Sequence, residues 1–347
     1  MAKGGIAMAI KFGVFADLHV DIIHDPQKRL ETFLEACRRE DVDFIIHLGD
    51  FCYPESRNVV CKPENRPINI RNALETKTYA DKDAIISLFR NFEKPGYHTL
   101  GNHDCDMCTK EEVLRYYGVD YGPYYSFDRG GFHFVVLDPN YYLWNGEYVS
   151  FRNGNYFDTS CEPVPVLPYL PPEQLKWLEA DLAQTPYPTV LFSHQRLTDD
   201  SCSIRNAATL REILKAAPNG VVLALNGHEH MDNVSKVDRT WFLNVNSISN
   251  YWLGVEFDHP QRYTEEIDQK HPNIRYVAPY EEAVFSIVTL DEAGATVKGT
   301  KSTIVGTPPE KQGVYQKGTN FCRSLWSPIT AAQRDRFLPF DPPIPKG

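Results

Sequence analysis

Five short apolar runs in this chain end in the same kinds of polar residue, and that repetition limits the fold more than any other feature. Ile6 to Phe15 runs into Ala16-Asp17-Leu18-His19, and Asp43 to Leu48 into Gly49-Asp50. Tyr97 to Leu100 runs into Gly101-Asn102-His103-Asp104, Thr189 to Phe192 into Ser193-His194, and Val221 to Leu225 into Asn226-Gly227-His228-Glu229-His230. A run that is apolar at every position suits a strand covered on both faces. Pro26 opens a helical segment to about Glu40, with Leu30, Phe33, Leu34 and Cys37 at helical spacing. Strand, helix, strand is a βαβ unit, so the expected class is α/β with a parallel sheet at its centre.

Further helices are expected over Asp81 to Phe92, from a Thr109 cap to about Tyr117, from Pro171-Pro172 onward, and over Asn206 to Ala216. Hairpins are expected for Tyr124 to Phe127 with Phe132 to Leu137, for Val234 to Val237 with Trp241 to Val245, and for Ala283 to Leu290 with Ala295 to Thr300. Three stretches lose periodicity: 51–80, 139–170 and 250–282. Loops that long inside a compact domain are usually functional or mobile. With 347 residues and no internal repeat or clear linker, the chain reads as one elaborated domain over 1–305. The proline-containing tail, 306–347, is expected to lie on the surface.

In an open α/β sheet the carboxyl ends of the strands form the crevice where ligands bind, so side chains remote in sequence converge there. The converging set is Asp17, His19, Asp50, Asn102, His103, His194, His228 and His230, eight groups that can hold metal and none of them a thiol. Oxygen and imidazole donors suit Mn, Fe, Zn or Mg. A single tetrahedral site needs four ligands at most, so two ions sharing a carboxylate account for the number.

Taken in order, Asp17-x-His19, Gly49-Asp50, Gly101-Asn102-His103-Asp104, His194 and Gly227-His228-x-His230 resemble the motifs of the calcineurin-like metallophosphoesterases, over roughly residues 10 to 250. The resemblance implies a two-sheet α/β sandwich flanked by helices, and hydrolysis of a phosphoric ester in a small phosphorylated substrate. It implies that Asp17, His19 and His230 hold one metal, that Asn102, His194 and His228 hold the other, and that Asp50 bridges them. His103 would stay unbound beside the leaving group, with Asp104 orienting it. Two cations of this kind activate a shared water to hydroxide for in-line attack on phosphorus and clamp two phosphoryl oxygens. Asn102 and His103 would help hold the phosphoryl charge.

Other residues are weighed against blander roles. His47, His98 and His133 fit the core or a hairpin and are left out of the site, while His24, His259 and His271 fit solvated positions. Arg196, two residues after His194, is a candidate for phosphate contact. The tyrosine-rich part of 139–170 reads either as padding over a sheet edge or as a lid for a flat leaving group. The lid reading would fit a nucleotide diphosphatase or cyclic nucleotide phosphodiesterase acting on ADP-ribose, a CDP-alcohol or cyclic AMP. A non-catalytic binding scaffold is the remaining alternative, and the intact ligand set speaks against it.

A net charge of -10 with no basic cluster excludes non-specific nucleic-acid binding. No apolar stretch is long enough for a transmembrane helix, and the N-terminal residues lack the form of a signal peptide, which favours the cytoplasm. Eight scattered cysteines read as free thiols, with a Cys105–Cys108 disulfide left open.

Overall fold

The computed structural model describes residues 9–52, 78–106, 108–152, 154–157, 167–198, 203–253, 262–313 and 329–341. In chain order it begins with β1 (Ala9–Phe15), α1 (Pro26–Arg39), β2 (Phe44–His47), α2 (Thr78–Arg90), β3 (Gly96–His98) and α3 (Lys110–Tyr117). Two hairpins follow, β4 (Tyr125–Arg129) with β5 (Phe132–Val136) and β6 (Tyr141–Trp144) with β7 (Glu147–Ser150). Next come α4 (Pro172–Gln184), β8 (Thr189–Ser193), α5 (Ala207–Ala216), β9 (Val221–Asn226), β10 (Asn233–Val237) and β11 (Thr240–Asn244). The last elements are β12 (Asn250–Trp252), α6 (Glu265–Lys270), β13 (Val277–Pro279), β14 (Ser286–Asp291), β15 (Gly294–Gly299) and β16 (Arg336–Pro339).

Two six-stranded sheets result, in the orders β16-β15-β14-β1-β2-β3 and β10-β11-β9-β8-β5-β4. β1, β2 and β3 are parallel, as are β5, β8, β9 and β11, and antiparallel partners complete each sheet. This is the expected two-sheet α/β sandwich. It also explains why the runs are apolar throughout. Phe12, Val14, Phe44, Ile46, Phe134, Val136, Phe192 and Leu225 fill the layer between the sheets. The alternate residues Phe15 and Ile45 face a second core with α1 and α2, and Val135, Leu191 and Ala224 face a third with α4 and α5. Phe12 stacks on Phe44 at 4.8 Å and meets Phe134 and Phe192 edge-on, geometries that favour aromatic pairs. On the outer side of β1, a Cβ at Gly13 would collide with the Cys37 thiol, so glycine lets α1 settle directly on the strand.

Helix boundaries fall close to expectation, and Thr109 forms a complete capping box with Glu112 at the start of α3. Three expectations change. The 139–170 stretch contains the β6–β7 hairpin, turned at Asn145-Gly146 with φ of 49° and 85°. Asn-Gly with both residues left-handed is the turn that best matches strand twist, and the surrounding tyrosines mask that signal in the sequence. The 250–282 stretch contains β12, α6 and β13. The surface tail becomes, at β16, the edge strand of the first sheet, because Leu338 and Phe340 point into the sandwich while Phe337 faces solvent. An edge position tolerates Pro339, which has no N–H to donate. Most of 51–80, with Arg57, Lys62, Arg66 and Arg71, lies outside the described residues, as does His259. No helix among the described residues is long and apolar enough to cross a membrane.

His47 and His98 pair with each other in the core at 2.7 Å, and His133 on β5 lies between Asp128 and Asp181 at 2.6 and 2.8 Å. Burial opposes the charged form of His133, but its hydrogen bonds to Asp181 and Asp128 outweigh it and raise the imidazole above its ordinary value. A raised histidine contributes stability that is fully present below the unfolded value, about 6.5, and is lost as pH rises through the folded value. His133→Gln should therefore lower the melting temperature more at about pH 5.5 than at about pH 8.5. Equal losses at both pH values would show that the ring matters only as packing.

Candidate metal centre

The loops that leave the parallel strands turn sharply. Eight non-glycine residues among those described have positive φ, and five of them are Asp17 (56°), His19 (50°), Asp50 (51°), His228 (72°) and His230 (49°). A non-glycine residue in this region costs about 1–3 kcal/mol, and Asp and His tolerate it better than most. Each such corner reverses the backbone at a strand end, so that the side chain enters the crevice. Gly101 allows the closest approach, since a Cβ there would collide with the backbone and carboxylate of Asp50. The Asp17 corner is braced by Ser247 and Ser249, whose hydroxyls donate to its carbonyl at 2.9 and 3.0 Å.

The side chains form two adjacent triads. Asp17, His19 and His230 make one, and Asp50, His194 and His228 the other, with the ligand atoms of each within 4.8 Å of one another. Nε2 of His19 lies 3.1 Å from Nε2 of His230, which is 3.5 Å from Oδ1 of Asp17. Nε2 of His194 lies 3.1 Å from both Nδ1 of His228 and Oδ1 of Asn102. Asp50 stands between the triads, its Oδ2 3.2 Å from His194 and 4.0 Å from His19, while its Oδ1 accepts the His103 N–H at 2.8 Å.

The electrostatics fit cations. Burial pushes His19 and His228 down to about 3, so both rings are neutral, the form that binds metal. His194 goes the other way, to about 10, because the Asp50 carboxylate outweighs the effect of burial. Asp50 is correspondingly held well below its ordinary value, His194 and His103 overcoming burial, and Asp17 is lowered chiefly by His230 against the same penalty. The Nδ1 atoms of His194 and His230 face the carbonyls of Leu48 and Asn250 at 2.7 and 2.8 Å, so each donates there and leaves its Nε2 facing the centre, where a cation would take the place of the proton that Asp50 holds on His194. Oδ1 of Asp17 is buried and accepts no hydrogen bond from the described residues. Nitrogen lone pairs meeting at 3.1 Å beside such an oxygen fit metal ions.

Two assignments need correction. Asp104 does not orient His103. Its carboxylate accepts the backbone N–H groups of Asp50 (3.0 Å), Gly101 (2.9 Å) and Cys52 (3.1 Å), stapling two site loops together. Burial and the neighbouring Asp50 push Asp104 up to about 7. His103 instead pairs with Asp106, Nδ1 to Oδ2 at 2.8 Å. Residues 103–105 form a 3₁₀ turn, in which positions i and i+3 share a face and i+1 does not. The Arg196 guanidinium is directed elsewhere than the triads: it bonds Thr198, Asn244 and Ser235 and lines a separate cavity between α5 and the β10–β11 hairpin. Glu229 bonds Asn226 and Asn244 at 2.7 and 2.9 Å, fixing the loop that carries His228 and His230. Cys105 and Cys108 are not joined by a disulfide.

Three aromatics stand near the centre: Tyr251 and Trp252, which the sequence does not single out, and Tyr156 of the tyrosine-rich stretch. Tyr251 and Trp252 of β12 line the cavity over the triads together with His19, Asp50, His103, His228 and His230, and the Trp252 ring lies 6.4 Å from that of His103, 29° from parallel. The Tyr156 hydroxyl donates to Asp106 and lies 3.4 Å from both Asn102 and His103. Burial and Asp106 hold its phenol well above the ordinary value, so it remains a donor. Neither stretch has a periodicity that would locate these rings.

The family model for calcineurin-like phosphoesterases matches residues 10–232. No curated protein matches the sequence. Among solved structures, a dimetal phosphatase from Danio rerio is similar at 17% identity and a TM-score of 0.56, over 87% of this chain and 100% of that one. GAP50, the anchor in the inner membrane complex of Plasmodium, is 13% identical with a TM-score of 0.47, over 96% of this chain and 89% of that one.

Because Gly101 abuts Asp50, Gly101→Ala should displace the carboxylate between the triads. Titration calorimetry with Mn²⁺ should show binding weakened by about tenfold or more, a loss of the size seen when groups supporting metal ligands are altered. Unchanged affinity would show that the loop yields without moving Asp50.

Proposed function

The chain belongs to the calcineurin-like phosphoesterase family, and from that premise we propose that it hydrolyses a small phosphoric ester with two metal ions held at the paired triads. One observation carries this reading: two triads, each with ligand atoms within 4.8 Å, meet at a buried carboxylate that lies within 4.0 Å of a histidine of each. Asp17, His19 and His230 would hold one ion, Asn102, His194 and His228 the other, and Asp50 both. Donors that are all oxygen or imidazole fit Mn, Fe, Zn or Mg.

When bound, such a pair supplies a nucleophilic water near neutral pH and a clamp for two phosphoryl oxygens. The chain's own groups do the rest. The Asn102 amide and the His103 ring flank the position of the phosphoryl group and stabilise its charge. Asp106 accepts the Nδ1 proton of His103 and places Nε2 on the opposite ring edge, from which a proton can pass to the departing oxygen.

A narrower reading, hydrolysis of a diphosphate or cyclic phosphodiester in a nucleotide, is favoured by Trp252. Its ring lines the cavity beside His103, where a flat leaving group would stack.

Elemental analysis and kinetics with a panel of phosphate mono- and diesters test the main reading. Asp50→Asn should lose most bound metal and nearly all turnover. His103→Ala should keep its metal while kcat falls about 10²- to 10⁴-fold, the usual worth of a proton donor. Full activity of Asp50→Asn after chelation would overturn the assignment. For the narrower reading, ADP-ribose, a CDP-alcohol and cyclic AMP should outpace 4-nitrophenyl phosphate, and Trp252→Ala should erase that preference. Equal rates for all four in the unaltered enzyme would leave the nucleotide reading without support.

A further inference from the structure

The aromatic β6–β7 hairpin and the 3₁₀ turn Asn155–Phe157 that follows it supply no metal-ligating group, yet they are built around one hydroxyl. Phe151 stacks on Tyr156 at 4.5 Å and 14°, and the two form a buried cluster with Cys105, against which Tyr142 packs. The hairpin is pinned to the site loop through the Gly154 N–H, which donates to the Cys105 carbonyl at 3.0 Å. Asn155 closes the turn on itself, accepting from the Arg152 N–H and donating to the Ser150 carbonyl, each at 2.9 Å. A ring held by stacking on a turn held by hydrogen bonds leaves its hydroxyl little freedom. That hydroxyl donates to Oδ1 of Asp106, while Oδ2 of the same carboxylate lies 2.8 Å from Nδ1 of His103. Asp106 is 2% exposed, so water cannot stand in for either partner.

We propose that Tyr156 is a positioning residue for catalysis: it fixes the rotation of the Asp106 carboxylate and thereby aims His103 at the leaving oxygen. The inference rests on the reading of His103 as the proton donor. In that step a water oxygen bonds to phosphorus, the bond from phosphorus to the leaving oxygen breaks, and its electron pair stays on that oxygen. The proton on Nε2 of His103 follows the electron pair, and the ring becomes neutral, keeping its Nδ1 proton and its hydrogen bond to Asp106. A proton from the attacking water restores the imidazolium, and Tyr156 keeps its own proton throughout. Without the Tyr156 hydroxyl, Oδ1 of Asp106 would have to turn towards another donor, and the Nδ1 contact would turn with it. The hairpin thus acts as the rear support of the proton donor.

Two esters distinguish this from a merely structural role. 4-Nitrophenolate leaves with little need of a proton, whereas phenolate needs one more, so 4-nitrophenyl and phenyl phosphate are compared, or the corresponding diesters if the enzyme prefers them. Tyr156→Phe keeps the stacked ring and removes only the hydroxyl. It should retain metal and hold KM within about twofold, while kcat falls about tenfold on the phenyl ester and less than about threefold on the nitrophenyl ester. Asp106→Asn, which leaves the aromatic cluster untouched, should show the same selectivity and serves if Tyr156→Phe is unstable. The double variant should be no slower than Asp106→Asn, because the two residues act as one unit. An unchanged kcat, equal losses on both esters, loss of metal, or additive effects would each overturn the role of Tyr156. An unaltered enzyme that hydrolyses none of these esters in Mn²⁺ would instead defeat the hydrolase reading, and this inference with it.

Discussion

Asp50 is a carboxylate buried to 1% exposure, and the rest of the molecule is arranged around keeping it charged. An isolated buried charge is costly enough that it normally neutralises or finds a partner. Here a second buried carboxylate, Asp17, stands near enough to raise the demand for positive charge. Imidazoles answer part of it, and His194 is driven towards its cationic form by Asp50. A metal ion at each triad would answer it more completely, because it could engage a carboxylate together with the neutral ring of that triad, His19 in one and His228 in the other. The geometry is therefore organised by charge, and the strands deliver ligands to it.

Delivery depends on topology. Parallel strands place all their carboxyl ends on one side, so loops far apart in sequence open into a single crevice. The left-handed corners at Asp17, His19, Asp50, His228 and His230 then turn the side chains into it. Such corners are sustained only where their surroundings fix them. The Asp104 staple, the Ser247 and Ser249 hydroxyls at Asp17, and Glu229 between Asn226 and Asn244 are those surroundings.

What the sequence discloses follows from which interactions are local. The apolar runs and the residues that end them reveal both the class of fold and the groups that meet in the two triads, since each strand carries its polar residues at its own end. The resemblance implies Asp104 as the partner of His103, because Asp104 fills the acidic position of the motif, whereas a 3₁₀ turn brings Asp106 to that face. The places of Tyr156 beside Asp106 and of Trp252 beside His103 are not legible for another reason. Both residues come from segments without hydrophobic period, so only the packing of Phe151, Cys105 and β12 decides where those rings lie. Leu338 and Phe340 do alternate with exposed positions, but the prolines around them make an edge strand look like a tail.

Each triad takes its residues from both sheets: Asp17 and His19 follow β1 while His230 follows β9, and Asp50 follows β2 while His194 and His228 follow β8 and β9. Occupation of either triad therefore ties the two layers together at their carboxyl ends. Ligand binding stabilises a fold by about 4 kcal/mol at a thousandfold excess over the dissociation constant, comparable to the combined strain of two or three left-handed corners. Without cations, repulsion between Asp17 and Asp50 and the strain of the corners act at the same edge and in the same direction. The apolar layer of Phe12, Phe44, Phe134 and Phe192 must then hold the sheets in register unaided. That layer extends well beyond the site, and this is why the crevice can be held ready for its metals by parts of the protein that never touch them.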